Sequence, residues 1–203
     1  MSQEELTTRQ RILEAAISGI ETYGLDQLTI RKIARDAGAN IASINYHFRT
    51  KADLVAEALT MTINHMLEDV RATLDQDGRP VERTLEEVFF YLLDGGRRFP
   101  GITTAHMYRA VVKKEYGSPG GKAIRQAFDR TVQRVLDAYP DKDPEWVRFV
   151  LSQIFAALMF SLLTPDFFSV SGRYLPEDSE RCRLLARSYA GWVVQVLSPS
   201  ATL

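Results

Sequence analysis

The sequence predicts an all-α fold of about nine helices, and three observations support this prediction. Apolar residues recur at spacings of three and four along most of the chain, which is the period of an amphipathic helix. Short clusters of glycine and proline separate these periodic stretches. No stretch shows the strict alternation of apolar and polar residues that is typical of a β-strand.

Capping residues and breakers indicate where the helices begin and end. Thr29 can cap the second helix, and Gly24 and Gly38 follow the first and second helices, where glycine commonly ends a helix. Asp143 followed by Pro144 is typical of a helix start. The predicted helices run from about Thr8 to Tyr23, Ile30 to Asp36, Asn40 to Tyr46, Thr50 to Leu74, Val81 to Arg98, Ile102 to Tyr116, Gly121 to Tyr139, Asp143 to Leu163 and Glu177 to Leu197.

The composition is that of a soluble globular protein. The 203 residues are 45% hydrophobic and 25% charged, and their net charge is −1. A single cysteine, Cys182, excludes an internal disulfide and is typical of a reducing cytoplasm. The first residues lack the apolar core of a signal peptide, and no uncharged run reaches the roughly 20 apolar residues of a membrane span. We therefore expect a cytoplasmic protein without a membrane segment.

The segment Thr29–Lys51 carries the residues that most favour a specific function. It contains five basic residues and one acidic residue, in a chain whose net charge is nearly zero. Such a basic patch favours an anionic partner, although a solvated helix face would show the same charges. Two short helices joined at Gly38 are typical of a helix-turn-helix, whose second helix lies in the major groove of DNA.

The third predicted helix divides into inward and outward side chains. Ala42, Ile44 and Phe48 are expected to hold it against the core, which leaves six residues for the outer face: Asn40, Ile41, Ser43, Asn45, Tyr46 and His47. Asparagine can bind adenine through two hydrogen bonds, and an apolar side chain can contact a thymine methyl group. Serine, tyrosine and histidine suit phosphate oxygens. Lys51, in the first turn of the next helix, adds an ammonium group beside free backbone N–H groups.

Three stretches of the sequence match a known signature. They are ILEAA at residues 12–16, YGLDQLTIRKIARDAG at residues 23–38 and INYHFRTKADL at residues 44–54. Through them the chain resembles the N-terminal DNA-binding domain of the TetR/AcrR family of bacterial transcriptional regulators. It departs from the family's pattern at Asn45, where the family often has tyrosine. The resemblance implies a DNA-binding domain at residues 1–50 and a helical effector-binding and dimerisation domain at residues 51–203.

The resemblance also implies roles for individual residues. Phosphate contacts would come from Thr29, Tyr46, His47 and Lys51, and base contacts from Asn40, Ile41, Asn45 and Ser43. Structural roles stay open for three of them. Thr29 can cap a helix as well as contact DNA, Tyr46 can pack in the core, and His47 can brace the following helix.

A homodimer and a small-molecule effector are further implications of the resemblance. The last two helices are apolar on more than one face, which favours a dimer, although a helix buried within a monomer would show the same pattern. The predicted interface residues are Ile154, Leu158, Leu185, Tyr189, Trp192 and Val196. An effector pocket would be lined by Met66, Phe89, Met107, Tyr108, Phe128, Phe155 and Met159. These aromatic and methionine side chains favour a hydrophobic or aromatic effector, and ordinary core packing is their alternative explanation.

Catalytic and metal sites are not indicated. His47, His65 and His106 do not stand at metal-ligand spacing, and Cys182 has no second cysteine beside it. We therefore predict no enzyme activity and no cofactor. The predicted function is that of a homodimeric repressor, which binds a near-palindromic DNA operator and is released by its effector. The alternative is an all-helical small-molecule-binding protein or enzyme whose first helices merely pack.

Overall fold

A computed structural model describes residues 7–76, 78–165, 167 and 178–198. Over these residues the chain forms nine α-helices and no strand, which confirms the all-α prediction. A π-helical turn, Tyr108–Val112, follows the sixth helix. The helices are α1 (Thr8–Gln27), α2 (Ile30–Asp36), α3 (Ile41–His47), α4 (Lys51–Leu74), α5 (Val81–Arg98), α6 (Pro100–Met107), α7 (Pro119–Ala138), α8 (Pro144–Leu163) and α9 (Ser179–Leu197).

Several helix ends agree with the sequence prediction, and local signals mark them. The bounds of α2 and α5 are those predicted, and the Thr29 side chain accepts a hydrogen bond from the Lys32 N–H at the start of α2. Asp143 caps α8 in the same way, and Asp178 caps α9, which begins two residues later than predicted. α1 is interrupted at Gly24, whose φ of 70° is accessible to glycine at little cost, and a last turn continues to Gln27.

The helix predicted from Ile102 to Tyr116 is wrong in its second half. α6 ends at Met107, and the chain widens into a π-helical turn in which the Lys113 N–H donates to the Tyr108 carbonyl at 3.2 Å. Lys114 then has a φ of 54°. A right-handed helix of L-residues cannot continue through this conformation. The loop predicted from Pro165 to Pro176 lies mostly outside the described residues.

The chain packs into two compact units. Among the described residues, the first unit contains those up to His65 together with Gly101–Lys122, and the second contains those of Met66–Pro100 and those from Ala123 onward. The functional division predicted at residue 50 stays a prediction. The core of the first unit is built by buried side chains of α1 to α4 and α6, among them Ile12, Ile20, Ile33, Ile44, Leu54 and Ala105.

A carboxylate of α1 holds the beginning of α6 within the first unit. The two oxygens of Glu21 accept hydrogen bonds from the backbone N–H groups of Gly101 and Ile102, each at 3.0 Å. These N–H groups lie in the first turn of α6 and have no partner within the helix. A Cβ atom at residue 101 would lie 2.8 Å from both the Glu21 Cα and the Ile20 carbonyl oxygen, so glycine permits this close approach.

In the second unit, charged side chains connect α5 to α9. Glu86 accepts hydrogen bonds from Arg187, the Ser179 hydroxyl donates to Asp94 at 2.7 Å, and Arg183 donates to Glu87 at 2.8 Å. Arg97 adds a 2.7 Å bond to Asp94 from within α5. The two helices are therefore joined by ion pairs as well as by apolar packing.

α8 is, by length and composition alone, able to cross a membrane. It has 20 residues and a mean hydropathy of 1.8 in its most apolar window. The core helix of a soluble protein meets the same criteria, and one side of α8 is buried in the second unit through Val147, Leu151 and Leu158. The other side exposes part of Phe149 and of Phe160, and the Phe160 ring packs edge to face on that of Phe167.

Candidate nucleic-acid interface

α3 is held on the first unit through its inner side. Ile44 is fully buried, and Phe48, the residue that follows the helix, is 4% exposed. α2 contributes Ile33 and Ala34 to the same core. Gly38 has a φ of 60°, so the turn between the two helices uses a backbone conformation that favours glycine. The arrangement is the helix-turn-helix that the spacing predicts.

The outer side of α3 carries both predicted and unpredicted residues. Ile41 is 43% exposed and Tyr46 is 85% exposed, while Asn45 is also exposed and Ser43 is half-buried. The prediction that Ala42 packs in the core is wrong, because its side chain is exposed. Residues two apart lie on nearly opposite sides of a helix, so Ala42 and the buried Ile44 cannot share the inner face.

Asn40 lies at the cap of α3 rather than within the helix. Its Oδ1 accepts a hydrogen bond from the Ser43 N–H at 2.7 Å, and the helix begins one residue later, at Ile41. This bond orients the amide oxygen toward the helix backbone. Asn40 is therefore a structural cap, whereas the amide of Asn45 makes no hydrogen bond within the described part of the chain.

Tyr46 and His47 form an aromatic pair at the end of α3. Their ring centroids are 5.1 Å apart in an edge-to-face arrangement, and His47 also lies 6.3 Å from the Phe48 ring. The high exposure of Tyr46 excludes the alternative that it packs in the core. The half-buried His47 therefore stands between an exposed ring and a buried one.

Thr29 and Lys51, both predicted to contact phosphates, have structural partners within the chain. The Thr29 hydroxyl accepts from the Lys32 N–H at 3.2 Å. The Lys51 ammonium donates to the Leu25 carbonyl at 3.2 Å and so connects the start of α4 to the end of α1. An ammonium group has three donors, so this one bond leaves Lys51 able to bind an anion as well.

The basic residues of the first unit differ in how far they are neutralised. Arg35 donates to Asp36 at 2.7 Å and to the Tyr23 hydroxyl at 2.8 Å. The hydrogen bond from Arg35 lowers the pKa of the Asp36 carboxyl below its usual value. Arg31 and Arg49 are exposed and make no ion pair within the described residues. The sequence indicated both as part of the basic patch but not as site residues.

The residues predicted for an effector pocket do not all lie in one unit. Phe155 contacts Phe89 and Phe128 edge to face, with centroids 6.1 and 5.1 Å away, and Phe89 is fully buried. These three rings, together with Met66 and Met159, belong to the second unit, whereas Met107 and Tyr108 belong to the first. The ring contacts are those of a packed core, so a pocket at these residues stays a prediction.

The predicted dimer residues on α8 and α9 differ in exposure. Ile154 and Leu158 are 5% and 0% exposed within the single chain, so they are core residues and offer no surface to a partner. The opposite face of α8 exposes apolar residues at Trp146, Phe149, Ala156 and Phe160. On α9, Trp192 is 42% exposed, and the other three, Leu185, Tyr189 and Val196, are half-buried.

Comparison with known proteins identifies the family. Residues 12–58, which include α2, the turn and α3, match the family model described as bacterial regulatory proteins, tetR family. Residues 12–58 therefore carry the N-terminal DNA-binding domain of the tetR family. The chain is 30% identical to the nucleoid occlusion factor SlmA of Vibrio campbellii over 103 residues, which are 47% of the chain and 48% of that relative. The chain thus spans about half the length of the curated relatives it matches.

Solved structures resemble this chain over nearly its whole length. A putative TetR-family transcriptional regulator from Mesorhizobium loti has a TM-score of 0.73 and 16% identity, covering 96% of this chain and 98% of that chain. The transcriptional regulator FadR from Bacillus subtilis, in complex with stearoyl-CoA, has a TM-score of 0.69 and 15% identity, covering 91% and 96%. At these identities the likeness shows a shared fold.

Proposed function

We propose that this chain is a transcriptional regulator of the TetR family that binds DNA through α3. The observation that carries the proposal is the exposed face of α3, where Tyr46 is 85% exposed on a helix whose opposite side is buried through Ile44. Arg31 and Arg49 lie on either side of α3 in the sequence and are exposed, so they can provide phosphate contacts. The alternative, a binding protein or enzyme whose first helices merely pack, leaves this exposed tyrosine unexplained.

A homodimer is the second part of the proposal. On α8, exposed residues recur at spacings of three and four through Trp146, Phe149, Gln153, Ala156 and Phe160, which forms one continuous stripe along the helix. A soluble chain that exposes a mainly apolar stripe of this length commonly covers it with a partner. Two copies related by a two-fold axis would bind two half-sites, and the operator would therefore be nearly palindromic.

Release by a small hydrophobic effector is the third part. FadR of Bacillus subtilis, which shares the fold, was solved with stearoyl-CoA, so a long acyl chain is a reasonable probe for this chain. The repressor would lose its operator when an effector favours a different orientation of α4. A ligand can produce this change only by binding one conformation more tightly than the other. We place this activity in the cytoplasm, with no enzymatic step.

Footprinting with the purified full-length protein tests the proposal. The DNA is the region that flanks its own gene, and we expect a protected, nearly palindromic segment. Asn45→Ala is the matched variant, since it removes an exposed amide without disturbing the buried face of α3. This variant should lose on the order of 1–3 kcal/mol of binding free energy for the preferred base at one base pair. Absence of any protected palindrome, with the protein folded and dimeric, would favour the non-DNA alternative.

A further inference from the structure

The outward face of α3 is a small contiguous patch. Ile41, Ala42, Asn45 and Tyr46 are all exposed, and the residues between them are partly or fully buried. Residues three and four apart are neighbours on a helix, so Ile41 and Ala42 adjoin Asn45, and Ala42 adjoins Tyr46. We call Ile41, Ala42 and Asn45 the reading patch. It combines two apolar side chains with one amide.

The chemistry of this patch does not suit guanine. The most frequent guanine contact is a bidentate hydrogen bond from arginine or lysine, and α3 (Ile41–His47) contains neither residue. Arg31 lies in α2, and the first helix of a helix-turn-helix crosses the DNA backbone rather than entering the groove. Arg49 follows the end of α3. The bases beneath α3 are therefore left to the reading patch.

Of Asn40 and Asn45, only Asn45 is free to bind adenine. A bidentate contact needs the amide oxygen for the adenine N6–H group and the amide nitrogen for N7. The oxygen of Asn40 accepts the Ser43 N–H at 2.7 Å, so it is turned toward the helix backbone. The amide of Asn45 has no such bond among the described residues and is exposed. The adenine contact therefore falls to Asn45.

The apolar half of the patch has one matching group in the major groove. The thymine C5-methyl is the apolar group that base edges present there, and alanine and larger apolar side chains contact it. Ile41 is 43% exposed, and the exposed Ala42 beside it is small enough to let the helix approach the base edges closely. Covering these two side chains with methyl groups would remove apolar surface from water.

We propose that α3 selects A·T base pairs, with thymine methyl groups packed on Ile41 and Ala42 and one adenine bound by Asn45. This assignment rests on the proposed DNA-binding function and adds the class of base that each residue recognises. The neighbouring Tyr46 and the exposed arginines hold the helix on the phosphates and do not choose the bases.

The first experiment selects operators from a pool of random duplexes with the full-length protein. The selected half-site should contain consecutive A·T pairs, and Ile41→Ala and Asn45→Ala should each relax the preference at a different position. These shifts locate the base pairs beneath α3. If no sequence is enriched, the proposed function is overturned, and the base assignment is overturned with it.

The second experiment replaces single thymines of the selected site by deoxyuridine, which removes only the methyl group. The protein is unchanged, so no folding defect can affect the result. Each contacted thymine should lose about fourfold in affinity, the effect of one buried methyl group. The loss should disappear in Ile41→Ala at one position and in Ala42→Gly at another. Ala52→Gly is the matched control, since Ala52 is exposed at the same second position of α4.

Two results would overturn the base assignment while the regulator function stands. One is an enriched palindrome with G·C pairs at the positions that Ile41→Ala and Asn45→Ala relax. The other is equal affinity for thymine and uracil at every position of the half-site. If the loss of affinity on replacing thymine by deoxyuridine is the same in Ile41→Ala and Ala42→Gly as in the unchanged protein, neither residue contacts the thymine methyl groups.

Discussion

Replacing Glu21 by alanine should destabilise the first unit, because this carboxylate caps α6. Its two oxygens accept the N–H groups of Gly101 and Ile102 at 3.0 Å each. Loss of a helix cap costs about 0.5–2 kcal/mol, and a hydrogen bond to a charged group contributes about 1.5–3 kcal/mol. Since Glu21 is half-buried and water can replace part of each bond, we expect a loss of about 2 kcal/mol.

Denaturant and thermal unfolding of the full chain measure this loss. For a chain of this length, about 2 kcal/mol corresponds to a decrease in Tm of roughly 4–8 °C. Glu21→Gln keeps one acceptor oxygen and loses the charge, so its effect should be about half as large. Glu14→Ala is the matched control, because Glu14 is an exposed glutamate on the same helix and its loss should stay within about 0.5 kcal/mol.

The result that refutes this reasoning is a Glu21→Ala protein whose stability equals that of Glu14→Ala. Gly101→Ala provides a second measurement, since its Cβ would lie 2.8 Å from backbone atoms of α1. It should destabilise the chain even with Glu21 intact. If Gly101→Ala is neutral while Glu21→Ala is not, the carboxylate acts without the close approach of the two helices.

Three further predictions concern acid stability, DNA affinity and assembly. Burial raises the pKa of Glu86, but the hydrogen bonds and charges of Arg187 and Arg83 outweigh it, and the pKa lies below its usual value. A lowered carboxyl pKa contributes stability that is complete above the pKa of the unfolded chain, 4.5, and is lost as the pH falls through the pKa of the folded chain. In Glu86→Gln the free energy of unfolding should therefore decrease less as the pH falls below 4.5. Lys51→Ala should weaken binding to all DNA sequences alike and lower the salt slope by about one unit, and an unchanged slope would place Lys51 away from phosphates. Phe149→Glu should give a monomer in sedimentation analysis. Val112→Glu is the control and should leave the dimer intact, because Val112 lies in the first unit and is exposed to a similar extent, 59% against 54% for Phe149.

Much of the fold follows from local signals that a sequence carries by itself. α2 begins after Thr29 because a hydroxyl at that position can bind the backbone of the first turn, and this interaction needs no distant residue. The turn at Gly38 depends on the freedom of glycine to adopt a φ of 60°. Turn residues at 78–80 and the break at 99–101 bound α5, which runs from Val81 to Arg98 as predicted. The family signature in residues 44–54 also predicts the helix-turn-helix from the sequence, because all of its residues lie within one short segment.

The tertiary structure decided which face of each helix is covered. The periodicity of α8 includes Ile154, Leu158, Phe149 and Phe160 alike, and only packing against the rest of the second unit shows that the first two are buried and the others exposed. Ala42 is a similar case: helix geometry places it nearly opposite Ile44, and only the packing of the core shows that Ile44 is the buried one. The Lys51 bond to Leu25 joins residues 26 apart in sequence. Sequence alone determined where most of the helices form and which chemistry lies near α3, because capping and periodicity are local. Burial and the partners of charged groups depend on contacts between distant segments, which only the folded chain brings together.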